Sequence, residues 1–270
     1  MTDATIPPGS DRSAGHVHDS ASVGYSSGAE TYEAGRPDYP TEAATWLRDV
    51  VGVCPGRTVL EVGAGTGALT TRLADTGARL CVLEPVSAMR AKLVRRVPDA
   101  SVVAATAAAI PIRDASIDIV VCAQSFHWFA TRQALDECSR VLVPDGVLAL
   151  LWNVRDETVP WVKRLSAITD AYEGDTPRFR TGEWRHVLPG SAFVEIDHRQ
   201  VSHAHVGSVD QVIVARTLSV SFVAAMVDEQ RRVVERRLRA FVDDEPALAG
   251  RSRVAFPYQT AMFAYRKRAP

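Results

Sequence analysis

Short apolar runs alternate with amphipathic stretches through the middle of the chain. Thr58–Val62, Arg79–Leu83, Ser101–Ala105, Ile117–Cys122 and Val147–Trp152 have strand length, and the segments between them repeat apolar positions at helical spacing. This alternation predicts a parallel sheet built from βα units. Ser87 is placed to cap a helix whose Met89, Leu93 and Val97 share a face, and Thr131 to cap another carrying Leu135, Cys138 and Leu142. Pro144-Asp145-Gly146 predicts the turn into the fifth strand. Residues 117–121 and 147–151 are apolar on both faces, as strands covered by helices on both sides must be. The pattern is that of a doubly wound α/β fold, whose ligands bind beyond the carboxyl ends of the strands.

Past Asn153 the alternation stops. Trp161, Leu165, Ile168 and Tyr172 fall on one helical face after Pro160, Ser208 to Gln211 has the form of a capping box, and Val223, Val227, Val234, Leu238 and Phe241 mark a further amphipathic helix. Phe193–Val201 and Tyr258–Arg266 are strand candidates. The expected organisation is a disordered tail at 1–24, an N-terminal segment at 25–57 and an α/β core at 58–153. A mainly helical insertion over the strand ends follows at 154–250, with a sheet strand near 193–201, and a last strand completes the sheet within 251–270.

Composition narrows the function. Of 270 residues, 46% are apolar and 23% charged, an ordinary globular balance. The 31 Lys and Arg against 32 Asp and Glu leave a net charge of −1, which argues against a broad nucleic-acid surface. Cys54, Cys81, Cys122 and Cys138 lie far apart without a C-x-x-C pair, so they read as reduced thiols rather than a disulfide frame or metal site. His16 and His18 read as solvated tail residues, not as metal ligands. The arginines at 231, 232, 236, 237 and 239, with Glu235 among them, read as a solvated helix face. No apolar run has membrane-spanning length and the N-terminus lacks an apolar signal region, so a cytoplasmic protein with no membrane partner is expected.

Chemistry concentrates where the first strand ends. Val59 to Val62 run directly into Gly63, Gly65 and Gly67, and a helix follows with Leu69 and Leu73 inward. Absent side chains admit a ligand to the backbone, and the helix start offers free N–H groups. Glu84 ends the second strand, where a carboxylate can accept from both hydroxyls of a ribose. Gly63-x-Gly65-x-x-Ala68 also satisfies the dinucleotide fingerprint, so a nicotinamide-dependent oxidoreductase competes with other nucleotide users, beside a non-catalytic binding module.

The series Leu60-Glu61-Val62-Gly63-Ala64-Gly65-Thr66-Gly67 resembles motif I of the class I S-adenosylmethionine-dependent methyltransferases, and Leu83-Glu84-Pro85-x-x-x-Met89 resembles their second motif. Ile110-Pro111, Gln124 to Phe129, Arg140-Val141-Leu142 and Trp152-Asn153 extend the likeness toward the ubiquinone, malonyl-carrier-protein and trans-aconitate methyltransferase-like branch. Tyr25, Tyr32 and Arg36-Pro37-x-Tyr39-Pro40 resemble the segment that covers the cofactor there. The resemblance implies a mostly parallel seven-stranded sheet, S-adenosylmethionine as cofactor, and methylation of a small molecule at a carboxylate or hydroxyl oxygen. It implies cofactor contacts at Tyr25, Tyr32, Arg36, Glu61, Gly63, Ala64, Gly65, Gly67, Glu84, Pro85, Met89, Thr106, Ala107 and Gln124. Relatives commonly carry an acid after the third strand; Thr106 to Ala109 has none, which leaves adenine to backbone groups or the Thr106 hydroxyl. His127, just past the fourth strand, is the candidate catalytic group, either a base or a residue that positions the loop. Trp128, Asn153 and Trp161 are candidate substrate contacts, each with a plain structural reading beside it.

Overall fold

The computed structural model describes residues 35–268. Its strands are β1 (Thr58–Val62), β2 (Arg79–Leu83), β3 (Ser101–Val103), β4 (Ile117–Ala123), β5 (Leu142–Arg155), β6 (Phe193–Ser208) and β7 (Arg253–Lys267). They form one seven-stranded sheet in the order β3-β2-β1-β4-β5-β7-β6. β1 to β5 pair in parallel, and β7 lies antiparallel between β5 and β6. The main helices are α1 (Thr41–Trp46), α2 (Ala68–Ala74), α3 (Ser87–Arg96), α4 (Arg132–Val141), α5 (Pro160–Asp170) and α6 (Asp228–Asp244), with shorter helical segments at Leu47–Val51, Phe126–Trp128, Phe179–Thr181, Glu183–Arg185 and between 210 and 224. From β1 the chain winds outward to β2 and β3, then returns to place β4 on the other side of β1. The crevice of this doubly wound fold therefore opens beyond the carboxyl ends of β1 and β4.

The apolar alternation divides the core as expected. Leu60, Val120, Leu148, Leu150 and Trp152 face one side, packed with Leu135 and Cys138 of α4. Val59, Ile119, Val121, Ala149 and Leu151 face the other, packed with Trp46 of α1 and Leu69 and Leu73 of α2. Each fully buried Leu or Val contributes roughly 1.5–3 kcal/mol. A third cluster joins Val162 and Leu165 of α5, Val212, Ile213 and Val223, Val234 and Leu238 of α6, and Phe256 and Tyr258 at the start of β7. The insertion thus has its own small core against the ends of β5 and β7.

Several local expectations change. Thr131 does cap α4, accepting from the Ala134 N–H at 3.2 Å, but α3 begins at Ser87 itself with Val86 in the cap position and no side-chain bond. The turn at 144–146 is absorbed into β5. Ile117 pairs with Leu142 and Ile119 with Val147, so the intervening residues bulge, with Asp145 at φ 59°. β6 runs on to Ser208 because β7, starting at Arg253, offers it a partner along its whole length. Val227 is exposed rather than buried, since α6 starts after it. The basic face of α6 is paired as well as solvated: Arg239 bonds Glu235 and Asp210, and Arg237 donates to the Tyr172 hydroxyl. All four cysteines are free. Among the described residues no helix is long and apolar enough to cross a membrane. The expected tail at 1–24, with His16 and His18, and the candidates Tyr25 and Tyr32 lie outside the described residues.

Candidate functional site

β1 passes through Gly63, Ala64, Gly65, Thr66 and Gly67 into α2, and the three glycines all take positive φ, at 73°, 61° and 87°. Their surroundings differ. A β-carbon at Gly63 would lie 2.7 Å from Ser125 Cβ and one at Gly67 would lie 2.6 Å from Leu93 Cδ1, whereas one at Gly65 meets nothing within 4 Å. The outer glycines let the backbone pack; the middle one faces open space at the mouth of the crevice. β2 braces the loop: the Gly63 and Ala64 N–H groups donate to the Leu83 carbonyl at 2.8 and 3.3 Å.

Glu84 completes the brace. Its Oε2 accepts from Gly65 N–H at 2.7 Å and its Oε1 from Val86 N–H at 2.8 Å, while Arg90 donates to the Glu84 and Pro85 carbonyls. Burial raises the Glu84 pKa, against the opposing pull of the two N–H groups and the Arg90 charge. Pro85 stays partly exposed beside it, but Met89, on α3, is buried. The adenine-side contact expected of the Met89 side chain is thus replaced by core packing. Thr106, partly exposed, and Ala107, buried, follow β3, whose carboxyl end pairs with that of β2.

Glu61, on β1, is buried, and the Thr70 hydroxyl donates to its Oε2 at 2.6 Å. Burial pushes its pKa from 4.5 up to about 8, with the Glu84 charge adding to the rise and the Thr70 bond opposing it. Glu61 therefore holds a proton in the folded chain where the unfolded chain has lost it. Its contribution to stability is complete below pH 4.5 and is lost as pH rises through about 8. Denaturant midpoints should fall across that window, by up to about 1.4 kcal/mol per pH unit, and Glu61→Gln should flatten the decline. Parallel pH profiles for the two proteins would refute this protonation.

The end of β4 supplies a second wall. Gln124 adopts φ 58°, a conformation that is costly for a non-glycine residue. Its N–H donates to the Leu151 carbonyl and its Nε2 to the Asn153 carbonyl, at 2.8 and 3.0 Å. Ser125, which the sequence did not single out, donates from Oγ to the Val62 carbonyl at 2.6 Å and packs on Gly63, joining the ends of β1 and β4. His127 and Trp128 lie on the 3-10 turn that follows.

Trp152 Nε1 can only donate, and it donates to His127 Nδ1 at 3.0 Å. The His127 proton is therefore on Nε2, so the ring's other edge presents a donor. Burial, then the Arg178 and Arg36 charges, lower the His127 pKa to about 3. Such an imidazole stays neutral at ordinary pH and is poorly suited to be the base considered above.

Segment 36–40 crosses the strand ends from the N-terminal side. Gly35 packs directly on the Arg216 backbone, where a β-carbon would approach Cα at 2.8 Å. Asn153 clamps this segment: its Nδ2 donates to the Pro37 and Asp38 carbonyls at 3.3 Å, and its Oδ1 accepts from the Thr260 hydroxyl at 2.6 Å. The structure thus uses Asn153 to hold the chain rather than a substrate. Trp161 packs in the insertion core with its ring 5.2 Å from Phe256, which places it away from the β4 wall. Arg178, unsignalled in the sequence, sits beside Phe179, whose ring lies 4.8 Å from that of Trp152.

Residues 60–150 match a family model described as a methyltransferase domain. Over 237 residues the chain is 33% identical to an uncharacterised methyltransferase-like protein of Schizosaccharomyces pombe, covering 87% of this chain and 92% of that one. A malonyl-(acyl-carrier protein) O-methyltransferase of Geobacter sulfurreducens is 38% identical over 133 residues, 44% of this chain and 49% of that protein. A solved structure described as a type II methyltransferase from Anaeromyxobacter dehalogenans superimposes with a TM-score of 0.62 at 23% identity, over 86% of this chain and 97% of its own, which is a likeness of fold. These matches give the nicotinamide reading of the glycine loop no support.

Proposed function

The chain belongs to the class I S-adenosylmethionine-dependent methyltransferases, and from that premise we propose that it methylates an oxygen atom of a small molecule, with the cofactor held across the ends of β1, β2 and β4. The observation that carries this reading is the open backbone at Gly65, braced by a buried carboxylate at the end of the next strand. A loop of small residues whose middle glycine faces open space, beside an acid, suits a ribose and an amino-acid moiety joined through a nucleoside.

In this reading Glu84 accepts from the ribose hydroxyls with the lone pairs its backbone bonds leave over. Gly63, Ala64, Gly65 and Gly67 form the floor, and Glu61 lies beneath it. Pro85, Thr106 and Ala107 border the adenine side through backbone and small groups. Gln124 and Arg36, with Tyr25 and Tyr32 outside the described residues, close the amino-acid end. Bound there, the cofactor supplies an electrophilic methyl group on a sulfonium. The protein's share is to align an acceptor oxygen and exclude water. Trp128 borders the acceptor side next to His127, with their ring centroids 5.2 Å apart. His127 contributes as a hydrogen-bond donor from Nε2. The free thiols suit a reducing cytoplasm, the expected location.

Titration with S-adenosylhomocysteine, followed by transfer of a labelled methyl group to an acceptor panel, tests the function. His127 is tested separately. Glutamine can accept from Trp152 through Oε1 and still present an N–H donor, so His127→Gln should keep most of kcat. His127→Leu should lose roughly tenfold or more, as one buried hydrogen bond is deleted. The wild-type rate should show no inflection through the ordinary histidine range. Equal inactivation of both variants, with a histidine-like inflection in the wild type, would restore the base.

A further inference from the structure

Resting on the methyltransferase reading, we propose that Gln133, Glu137 and Arg140 of α4 are positioning residues for the cofactor's base. They fix the backbone of the loop after β3, so that peptide groups, rather than a charged side chain, select adenine.

Residues 106–109 read Thr-Ala-Ala-Ala. Apart from the Thr106 hydroxyl, this stretch has only N–H and carbonyl groups to offer a base. The loop leaves β3 beside the end of β2: the Glu84 N–H donates to the Val103 carbonyl at 3.2 Å, and Ala107 is buried in the same core cluster as Val62 and Leu83. It therefore borders the carboxylate assigned to the ribose. A peptide group cannot swing toward a ligand as a side chain can, and hydrogen bonds weaken steeply as their angle closes toward about 120°. Backbone recognition works only if the loop keeps one conformation.

Its own turns supply little of that. The Ala109 N–H reaches the Thr106 carbonyl at 3.3 Å and the Ile112 N–H the Ile110 carbonyl at 2.8 Å. The rest comes from one stripe of α4, where Gln133, Glu137 and Arg140 stand at i, i+4 and i+7. Gln133 Nε2 donates to the Ala108 carbonyl at 3.0 Å. Glu137 Oε2 accepts from the Ile110 N–H at 2.7 Å. Arg140 donates to the Ile110 and Ile112 carbonyls, through Nη2 and Nη1, both at 2.8 Å, and to Asp114 Oδ1 at 2.6 Å. The same guanidinium is forked on Glu137, Nε to Oε1 at 2.7 Å and Nη2 to Oε2 at 2.8 Å, a bidentate pair that fixes direction as well as distance. None of these bonds uses the Ala107 peptide.

The consequence is selectivity. Adenine presents a ring-nitrogen acceptor next to an amino donor. Hypoxanthine, with a carbonyl in place of the amino group, presents a ring N–H next to an acceptor. A loop held in the pattern that suits the first opposes the second, because mismatched polar groups are left unpaired in the site. A loosened loop loses the adenine contacts and has little to lose toward hypoxanthine.

The test is calorimetric titration of the full chain with S-adenosylhomocysteine and with S-inosylhomocysteine, alongside unfolding midpoints. The wild type should prefer the adenosyl ligand about tenfold or more. Glu137→Leu should weaken adenosyl binding about tenfold, the loss of a charged hydrogen-bond partner, and inosyl binding less than about twofold, so that the preference largely disappears. Glu137→Gln, which keeps one acceptor, should retain part of it. Gln133→Ala, at an exposed position, should reduce the preference about threefold with an unchanged midpoint. Leu135→Ala opens a cavity under the same helix, where Leu135 is buried; it should unfold earlier yet keep the preference. If Glu137→Leu does not fold, Glu137→Gln and Gln133→Ala decide on the same ratio. A wild type that binds both ligands alike, loop variants that weaken both by one factor or neither, or a Leu135→Ala that erases the preference would each overturn the assignment. Failure of the wild type to bind S-adenosylhomocysteine at all would instead overturn the methyltransferase reading beneath it, and this assignment with it.

Discussion

Replacing Glu84 by alanine is expected to weaken S-adenosylhomocysteine binding by about 2–3 kcal/mol, roughly thirtyfold to over a hundredfold, and to lower the unfolding midpoint as well. Both effects have one origin. The carboxylate accepts from Gly65 N–H at 2.7 Å and Val86 N–H at 2.8 Å, so its removal leaves two backbone donors without their acceptor and frees the loop whose shape makes the site. The proposed ribose contacts vanish with it. Burial of the charge itself, visible in its raised pKa, offsets part of the folding cost, so the binding loss should exceed the stability loss. Glu84→Gln keeps the size and one acceptor but turns an NH2 toward a backbone N–H; it should fall between alanine and wild type. Calorimetry and denaturant unfolding on the three proteins read both quantities, and an affinity for the adenosyl ligand unchanged in Glu84→Ala would remove Glu84 from the site.

Gly65→Arg should eliminate cofactor binding while leaving the protein folded. The position has φ 61°, where a side chain costs about 1 kcal/mol, but its β-carbon would meet nothing within 4 Å. The long side chain therefore projects into the crevice instead of into the core. Gly63→Ala should do the opposite in one respect: its single methyl would press on Ser125 Cβ at 2.7 Å, separating the ends of β1 and β4 and destabilising the fold together with the site. Unfolding midpoints and S-adenosylhomocysteine titrations distinguish the two. A folded Gly65→Arg that still binds normally would show that the ligand lies elsewhere.

The contrast among these glycines marks how far the sequence could be read. All three carry the same signal, absence of a side chain in a strand-to-helix turn. Which of them admits a ligand and which admits Ser125 or Leu93 depends on what β4 and α3 bring alongside. Trp161 shows the same limit. A helical stripe of apolar residues promises burial of one face, and Leu165 is indeed buried, but that pattern is identical whether a tryptophan lines a cavity or packs on Phe256. Asn153 was noticed for its place at a strand end. Its partners, at Pro37, Asp38 and Thr260, stand more than a hundred residues away along the chain and leave no local trace.

What the sequence by itself determined was carried by short-range spacing: the strand runs with two apolar faces, the glycine loop between strand and helix, the acid at the end of β2 and the Thr131 cap. These follow from backbone geometry within a few residues, where side-chain periodicity and φ preferences act directly. Only the tertiary structure decided which groups meet across the crevice. His127 became a fixed donor because Trp152 of a neighbouring strand occupies its Nδ1, and Arg178 lies within electrostatic reach of it because Phe179 packs on that same indole. Proton position and charge balance are properties of desolvated neighbours, and the chain chooses those neighbours only when its distant segments pack.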